Sequence, residues 1–276
     1  MTNKQISAVA TFHALHESGC FVLPNPWDIG TAVYLQHLGF KALATTSAGY
    51  AFTLGLPDSV LAIKRGEMLG HVAEIAAATP LPVNADFQNG YADSPAEVAA
   101  SVSLCIETGV AGLSIEDNTG RANSPLYETS LALERIKAAR EAIDKSGIPV
   151  VLTARCEAAL VGHATPLKVA LERLTAFADA GADCLYAPGL AEPEQIKAIV
   201  KVVAPKPVNV LMSRPNPTMT VTRLADLGVR RISVGSALAR VAWGGFIRAA
   251  KQLAEGSFEG FAGAASIKEL DQVFDG

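Results

Sequence analysis

The sequence predicts an α/β fold: a (β/α)8 TIM barrel in a single domain over residues 1–276, with more helix at its C-terminal end than a barrel needs. Three observations predict it. Short apolar runs rich in Val, Ile and Leu recur about every thirty residues along the chain. Each is followed by a stretch with apolar residues at helical spacing. Eight such units are found, and eight βα units in a row imply a closed parallel barrel.

The strands are expected at Phe21–Pro24, Ala42–Thr46, Pro82–Asp86, Gly112–Glu116, Val150–Arg155, Cys184–Ala187, Val208–Met212 and Arg231–Gly235. Their weak alternation fits strands covered on both faces. Helices fill the gaps. Ala96–Thr108 carries Val98, Val102 and Ile106 on one face and starts at Ser94-Pro95, an N-cap followed by a first-turn proline. Leu131–Lys145, Pro166–Ala180 and Glu192–Val203 read the same way. Four helices close on a glycine: Leu38-Gly39, Thr108-Gly109, Ala180-Gly181 and Leu227-Gly228. An open doubly wound sheet is disfavoured, because Asn25-Pro26-Trp27-Asp28 stands after strand one in place of GxGxxG, and no GxxxxGK[ST] loop is present. An apolar helix at about Ser236–Glu255 completes the barrel. Residues 256–276, with Phe258, Phe261 and a last short helix to Phe274, are surplus and are expected to pack on a partner subunit.

Half of the 276 residues are hydrophobic, enough for a sizeable core, while 18% are charged and the net charge is −4. That balance gives no basic footprint for nucleic acid or for a membrane surface. Cys20, Cys105, Cys156 and Cys184 are scattered without a CxxC pair. No apolar run approaches the roughly 20 residues of a membrane span, and the N-terminus lacks a secretory signal pattern. The expectation is a reduced, cytoplasmic chain.

Barrel enzymes carry their chemistry at the C-terminal ends of the strands. Two acidic clusters stand there, Val83-Asn84-Ala85-Asp86 and Ser114-Ile115-Glu116-Asp117, one βα unit apart. Buried carboxylates need a cation or a donor. Asp86 and Glu116 are hard oxygen donors suited to Mg²⁺, and no histidine lies at a strand end to suggest zinc. Arg155 can grip a carboxylate or phosphonate as a fork. Thr45, Thr46 and Ser47 can hold an oxyanion, and Trp27 and Tyr186 read as walls. Asp86 has a second reading as a helix cap, and Arg155 one as an ion-pair partner of Glu157. Asp117 reads as a supporting or capping group and Cys156 as packing.

The motifs Thr46-Ser47-Ala48-Gly49, Leu54-Gly55-Leu56-Pro57-Asp58, Asn84-Ala85-Asp86 with Gly90-Tyr91, Gly112-Leu113-Ser114-Ile115-Glu116-Asp117 and Ala154-Arg155 follow one another in order. From Phe21 to about Ala242 the chain thereby resembles the isocitrate lyase/phosphoenolpyruvate mutase superfamily. The resemblance implies a homo-oligomer, a dimer of dimers that exchanges the eighth helix between paired subunits. It implies Mg²⁺, with Mn²⁺ as a substitute, and a small 2-oxo acid or phosphonate substrate. It assigns the metal to Asp58, Asp86 and Glu116. It gives the substrate carboxylate and enolate oxygen to Thr46, Ser47 and Ala48, the distal part of the substrate to Arg155, and a substrate carboxylate to Asn209.

Two departures shape the functional expectation. Asn84 stands where the family usually has a second aspartate, so one negative charge is lost at the metal. The loop Asn118–Pro125 lacks the Lys-Lys-Cys-Gly-His of the isocitrate and methylisocitrate lyases and so lacks their thiol. Asn123-Ser124 instead is similar to the phosphonate-acting branch, which makes Asn123 a candidate catalytic group beside Asp58, Thr46 and Arg155. The leading expectation is a lyase or decarboxylase that breaks or forms a C–C bond through a pyruvate-like enolate. P–C chemistry of the mutase or hydrolase type is the alternative, and a non-catalytic 2-oxo acid-binding barrel is a third. An aldolase working through a Schiff base is disfavoured, because no lysine stands at a strand end.

Overall fold

The computed structural model describes residues 2–60 and 62–275. Eight parallel strands run β1 (Phe21–Leu23), β2 (Leu43–Ala44), β3 (Val83–Asp86), β4 (Gly112–Glu116), β5 (Val151–Arg155), β6 (Cys184–Tyr186), β7 (Val208–Leu211) and β8 (Arg231–Ser233). They are ordered β1-β8-β7-β6-β5-β4-β3-β2. The seam between β1 and β2 is joined by a single backbone bond, Ala44 N–H to Pro24 O at 3.0 Å. The side chain of Asn25 clasps the same seam. Its Nδ2 donates to Thr45 O (2.9 Å), and its Oδ1 accepts from Val234 and Gly235 N–H (3.0 and 2.9 Å). All eight expected strands are present, most of them trimmed by a residue or two; β4 is fully buried along its length, as a strand between two covered faces must be.

The helices are α1 (Asn3–Glu17), α2 (Ile29–His37), α3 (Ser47–Thr53), α4 (Arg65–Ala78), α5 (Pro95–Glu107), α6 (Thr129–Ser146), α7 (Pro166–Asp179), α8 (Pro193–Val203), α9 (Val221–Asp226), α10 (Ala237–Ala254) and α11 (Ile267–Phe274). Ser94 caps α5 with Pro95 in its first turn, as its sequence predicts. The four expected closing glycines, Gly39, Gly109, Gly181 and Gly228, all have positive φ. At Gly181 (φ +99°) a side chain is excluded twice over, because a Cβ there would also come within 2.8 Å of Arg140 Cγ.

The N-terminal end of the barrel is closed by α1. Its Phe12 is fully buried against Gly112 at the start of β4, where a Cβ would lie 2.7 Å from the Phe12 ring. His16 follows one turn later, edge-on to Phe12 at 4.6 Å and to Phe21 at 5.2 Å.

The C-terminal helices behave differently from the rest. Of the eighteen residues of α10 only Ala239 is buried, while Val241, Phe246 and Ile247 are exposed. Part of the surplus C-terminal segment returns to its own chain: α11 lies against α2, with Tyr34 Oη–H 3.4 Å from Glu269 Oε1. None of the helices among the described residues is long and apolar enough to cross a membrane, and all four cysteines are free thiols.

Candidate active site

Asp86 ends β3, Glu116 ends β4 and Arg155 ends β5, so three neighbouring strands deliver their charges to one spot. Arg155 Nη1 lies 3.3 Å from Asp86 Oδ1 and 3.2 Å from Glu116 Oε2, while its Nε donates to Glu157. The guanidinium carbon sits 5.3 Å from the centre of the Tyr186 ring. The ion-pair reading of Arg155 is what the structure contains: it is the partner of Glu157, and it also stands between the two acids proposed for the metal. Burial pushes the Glu116 carboxyl well above the ordinary carboxylate range, and the negative charges of Glu157, Asp86 and Asp117 add to the rise against the opposing pull of Arg155. Burial opposes the charge on Arg155, but Glu157 and Glu116 hold the guanidinium protonated more firmly than usual. Three carboxyl groups share one guanidinium, and burial drives those of Glu116 and Glu157 toward the neutral form, which a bound cation would reverse.

The turn from β2 into α3 braces this cluster. Ser47 donates both its N–H (2.9 Å) and its hydroxyl (2.8 Å) to Asp86 Oδ2. Thr45 Oγ1 accepts from the Asp86 N–H (2.9 Å). Thr46 Oγ1 caps α3 by accepting from Gly49 N–H (3.1 Å). Of the three hydroxyls read from sequence as an oxyanion cradle, Ser47 spends its proton on Asp86 whereas Thr45 and Thr46 only accept in these bonds, and Asp86 is held by Thr45 and Ser47 rather than capping the helix that follows it. Among the described residues the Ala48 N–H, in the first turn of α3, has no partner.

The other candidates divide into those the fold brings together and those it does not. A cavity of about 50 Å³ inside the mouth is lined by Thr45, Asn84, Asp86, Arg155, Tyr186 and Asn209 among others. Asn84 donates to Ala85 O (3.1 Å), and its Oδ1 is buried without a partner. Burial raises the Tyr186 phenol to about 12. Trp27 is half-buried beside Gly49, outside the cavity. Asp58 lies on the exposed segment after α3 and forms no ion pair with Arg155; loss of hydration first, and the charge of Asp86 second, raise its carboxyl above the ordinary value. Asn123 is at the exposed tip of the loop between β4 and α6, away from the cluster. That loop is pinned at its base by an Asn118–Leu126 bridge and by the Thr119 N–H to Pro125 O bond (2.9 Å), and farther out by an exposed Arg121–Asp93 ion pair.

Asp117 and Cys156 serve the frame, as their sequence suggests. Asp117 pairs with Arg173 (2.8 Å) and accepts from the Glu157 N–H (2.7 Å). Cys156 is buried, and burial raises its thiol far above the usual range. Sequence reasoning missed Arg231, which lines the same cavity from the start of β8 and is 2% exposed. The one signal for it was a charged residue inside an apolar strand.

Among the described residues, no three His, Cys, Asp or Glu side chains are grouped as a ready-made metal cage. The donor set still fits Mg²⁺, which binds through one or two carboxylates and keeps its waters. The buried Glu116 carboxyl, pushed well above its ordinary range beside Asp86, is a feature that a hard cation would relieve.

Residues 12–254 match the family model described as phosphoenolpyruvate phosphomutase. A crystal structure from Burkholderia cenocepacia J2315, described provisionally as a lyase/mutase, superposes with a TM-score of 0.94 at 45% identity, covering 100% of this chain and 98% of that one. The 2-methylisocitrate lyase of Salmonella typhimurium is 29% identical over 206 residues, 72% of this chain and 68% of the relative. The structure of oxaloacetate acetylhydrolase in complex with the product oxalate has a TM-score of 0.85 at 28% identity, covering 97% of this chain and 94% of that one.

Proposed function

Because the chain belongs to the phosphoenolpyruvate phosphomutase family, within a superfamily of lyases and phosphomutases, we propose that it is a Mg²⁺-dependent lyase acting on a small 2-oxo acid through a pyruvate-like enolate. The observation that carries this reading is the convergence of Asp86 and Glu116 on one point, now held by Arg155 Nη1, at the ends of neighbouring strands.

Asp86 and Glu116 hold the metal, with Asn84 and Asp58 contributing directly or through water. When bound, such an ion would polarise the 2-oxo group and offset enolate charge. Ser47 locks the Asp86 rotamer, so the carboxylate loses little freedom when it takes up its partner. The free N–H of Ala48 donates to the substrate carboxylate or enolate oxygen. Arg155 exchanges part of its contact with Glu116 and Asp86 for the departing carboxyl fragment, backed by Glu157 and the Tyr186 ring. Asn209 meets a substrate carboxylate, Thr46 sets the angle of α3, and Trp27 walls the entrance.

The loop around Asn118–Pro125 contains no thiol, which supports oxaloacetate-type or 2-methylmalate-type acids over isocitrate and methylisocitrate. The similarity to oxaloacetate acetylhydrolase points the same way. A second reading, P–C bond chemistry on phosphonopyruvate, is favoured by the family model and by Asn123 on the loop; closure of the loop would bring Asn123 to the site. Incubating the protein with Mg²⁺ and oxaloacetate, 2-methylmalate or phosphonopyruvate decides between them. Turnover of either of the first two supports the lyase, turnover of phosphonopyruvate alone supports the second reading, and turnover of none contradicts both.

The oligomer belongs to the same proposal. The bare apolar face of α10 is the surface that a partner subunit covers in a dimer of dimers, with residues 256–276 flanking it. Sedimentation showing a monomer would refute this. Free cysteines and the absence of a membrane-spanning helix among the described residues agree with a cytoplasmic location.

A further inference from the structure

The pairing register of the barrel joins five side chains into one descending row. Glu116 lies opposite Arg155, Arg155 opposite Tyr186, Tyr186 opposite Asn209, and Asn209 opposite Arg231. Glu116, Arg155 and Tyr186 are the last residues of their strands, whereas Asn209 is second in β7 and Arg231 first in β8. The stagger of a closed barrel makes such a row spiral from mouth to floor. It starts on an acid and ends on a cation.

Among the described residues no acid is paired with Arg231. Its Nε donates to Asn209 Oδ1 (2.9 Å), its Nη2 to Thr153 Oγ1 (3.0 Å), and its Nη1 lies 3.3 Å from His16 Nε2. An arginine can only donate, so each of these three atoms must accept. The His16 ring is therefore neutral, with Nδ1–H on Phe12 O (2.7 Å), and burial together with Arg231 lowers its pKa to about 3. The same logic fixes Asn209. Its oxygen must face Arg231, so its amide nitrogen must face the other way. There Nδ2 donates once to Ser233 Oγ (2.9 Å) and keeps a second N–H without an acceptor. Both residues are 2% exposed and both line the cavity of about 50 Å³, room for a water or two or for one carboxylate head.

We propose that Arg231 is a positioning residue: it holds the Asn209 carboxamide donor-side inward, so that this β7–β8 wall can meet the substrate carboxylate that the proposed function already gives to Asn209. It rests on the keto-acid reading above and adds the reason why the wall accepts an anion. Without Arg231 the amide is free to turn its oxygen to the cavity, where it would repel the same group. Arg231 and Asn209 act as one unit, and Thr153 and the neutral His16 hold the guanidinium in place.

The test is calorimetric titration of oxalate into the full chain with Mg²⁺, alongside thermal unfolding of each variant. Asn209→Asp keeps an acceptor for Arg231 but replaces the inward donor by a carboxylate oxygen, which also pairs the guanidinium and repels an anion. It is expected to unfold no earlier than the parent yet to bind oxalate about tenfold or more weakly, the scale of one hydrogen bond to a charged group. Arg231→Met is expected to lose a similar factor, and Arg231→Met with Asn209→Ala no more than Asn209→Ala alone, because coupled residues are not additive. Should Arg231→Met fail to fold, Arg231→Lys, which keeps the charge but not the three directed contacts, serves in its place and is expected to show the same non-additive loss. Parent-like affinity in the Arg231 variant or in Asn209→Asp, or losses that simply add, would overturn the proposal alone. A parent chain that takes up no oxalate with Mg²⁺ would overturn the keto-acid reading as well.

Discussion

The two ends of the barrel treat buried charge in opposite ways. At the mouth three carboxylates, Asp86, Glu116 and Glu157, share the single guanidinium of Arg155. Near the floor a second guanidinium, Arg231, is held by an amide, a hydroxyl and a neutral imidazole, with no carboxylate paired to it among the described residues. Isolated buried charge is costly: without a second cation the mouth answers by pushing the Glu116 and Glu157 carboxyls toward the neutral form, whereas no acid among the described residues answers Arg231 at the floor. A site whose mouth lacks positive charge and whose inner wall lacks negative charge is complementary to a divalent cation carrying an anionic acid.

The comparison is broken most severely by removing the cation at the mouth. Arg155→Met leaves buried acids facing one another and should lower stability by about 3–5 kcal/mol, read by denaturant unfolding, with loss of turnover as well. A loss below about 1 kcal/mol would mean that solvent, not Arg155, balances the mouth.

The floor gives the next effect through pH. His16 has its pKa lowered from 6.5 to about 3, so the unfolded chain binds the extra proton across that window and the folded chain does not. Stability is complete above about pH 6.5 and should fall by up to about 1.4 kcal/mol per pH unit as the pH drops toward 3. His16→Gln should flatten that part of the curve of unfolding free energy against pH. An unchanged slope would place a proton on His16 in the fold and contradict its role as acceptor for Arg231.

Much of this architecture is legible in the sequence, because βα alternation is a local pattern and the rim rule turns strand ends into candidates. Asp86, Glu116 and Arg155 were readable for that reason. The direction in which Thr45, Thr46 and Ser47 turn their hydroxyls was not, since rotamers depend on what lies across the barrel, here Asp86 and the first turn of α3. Arg231 was hidden more deeply. It enters the site through the stagger between strands, a property of closure that no single segment carries. The bare face of α10 is not legible in its own residues, because its apolar positions resemble those of α6, which buries five apolar side chains; only the resemblance, with its exchanged eighth helix, pointed to it.

Two smaller tests sharpen the picture of the mouth. Ser47→Ala removes the hydroxyl bond to Asp86 but keeps the backbone one, and should weaken Mg²⁺ binding about tenfold, as measured by calorimetry. No change would mean that the backbone N–H alone orients the carboxylate. Arg121→Ala deletes an ion pair in which both side chains are 54% exposed, and should cost under about 1 kcal/mol of stability. A larger loss would show that the loop is part of the core rather than a movable cover.

Electron paramagnetic resonance of Mn²⁺ added to the protein and to its Asp86→Ala and Glu116→Gln variants asks most directly whether those two acids share one ion. One bound Mn²⁺ per chain in the parent, lost or greatly weakened in each variant and perturbed by oxalate, is the predicted result. A parent that binds no ion, or variants that bind it as tightly as the parent, would contradict the assignment of the site.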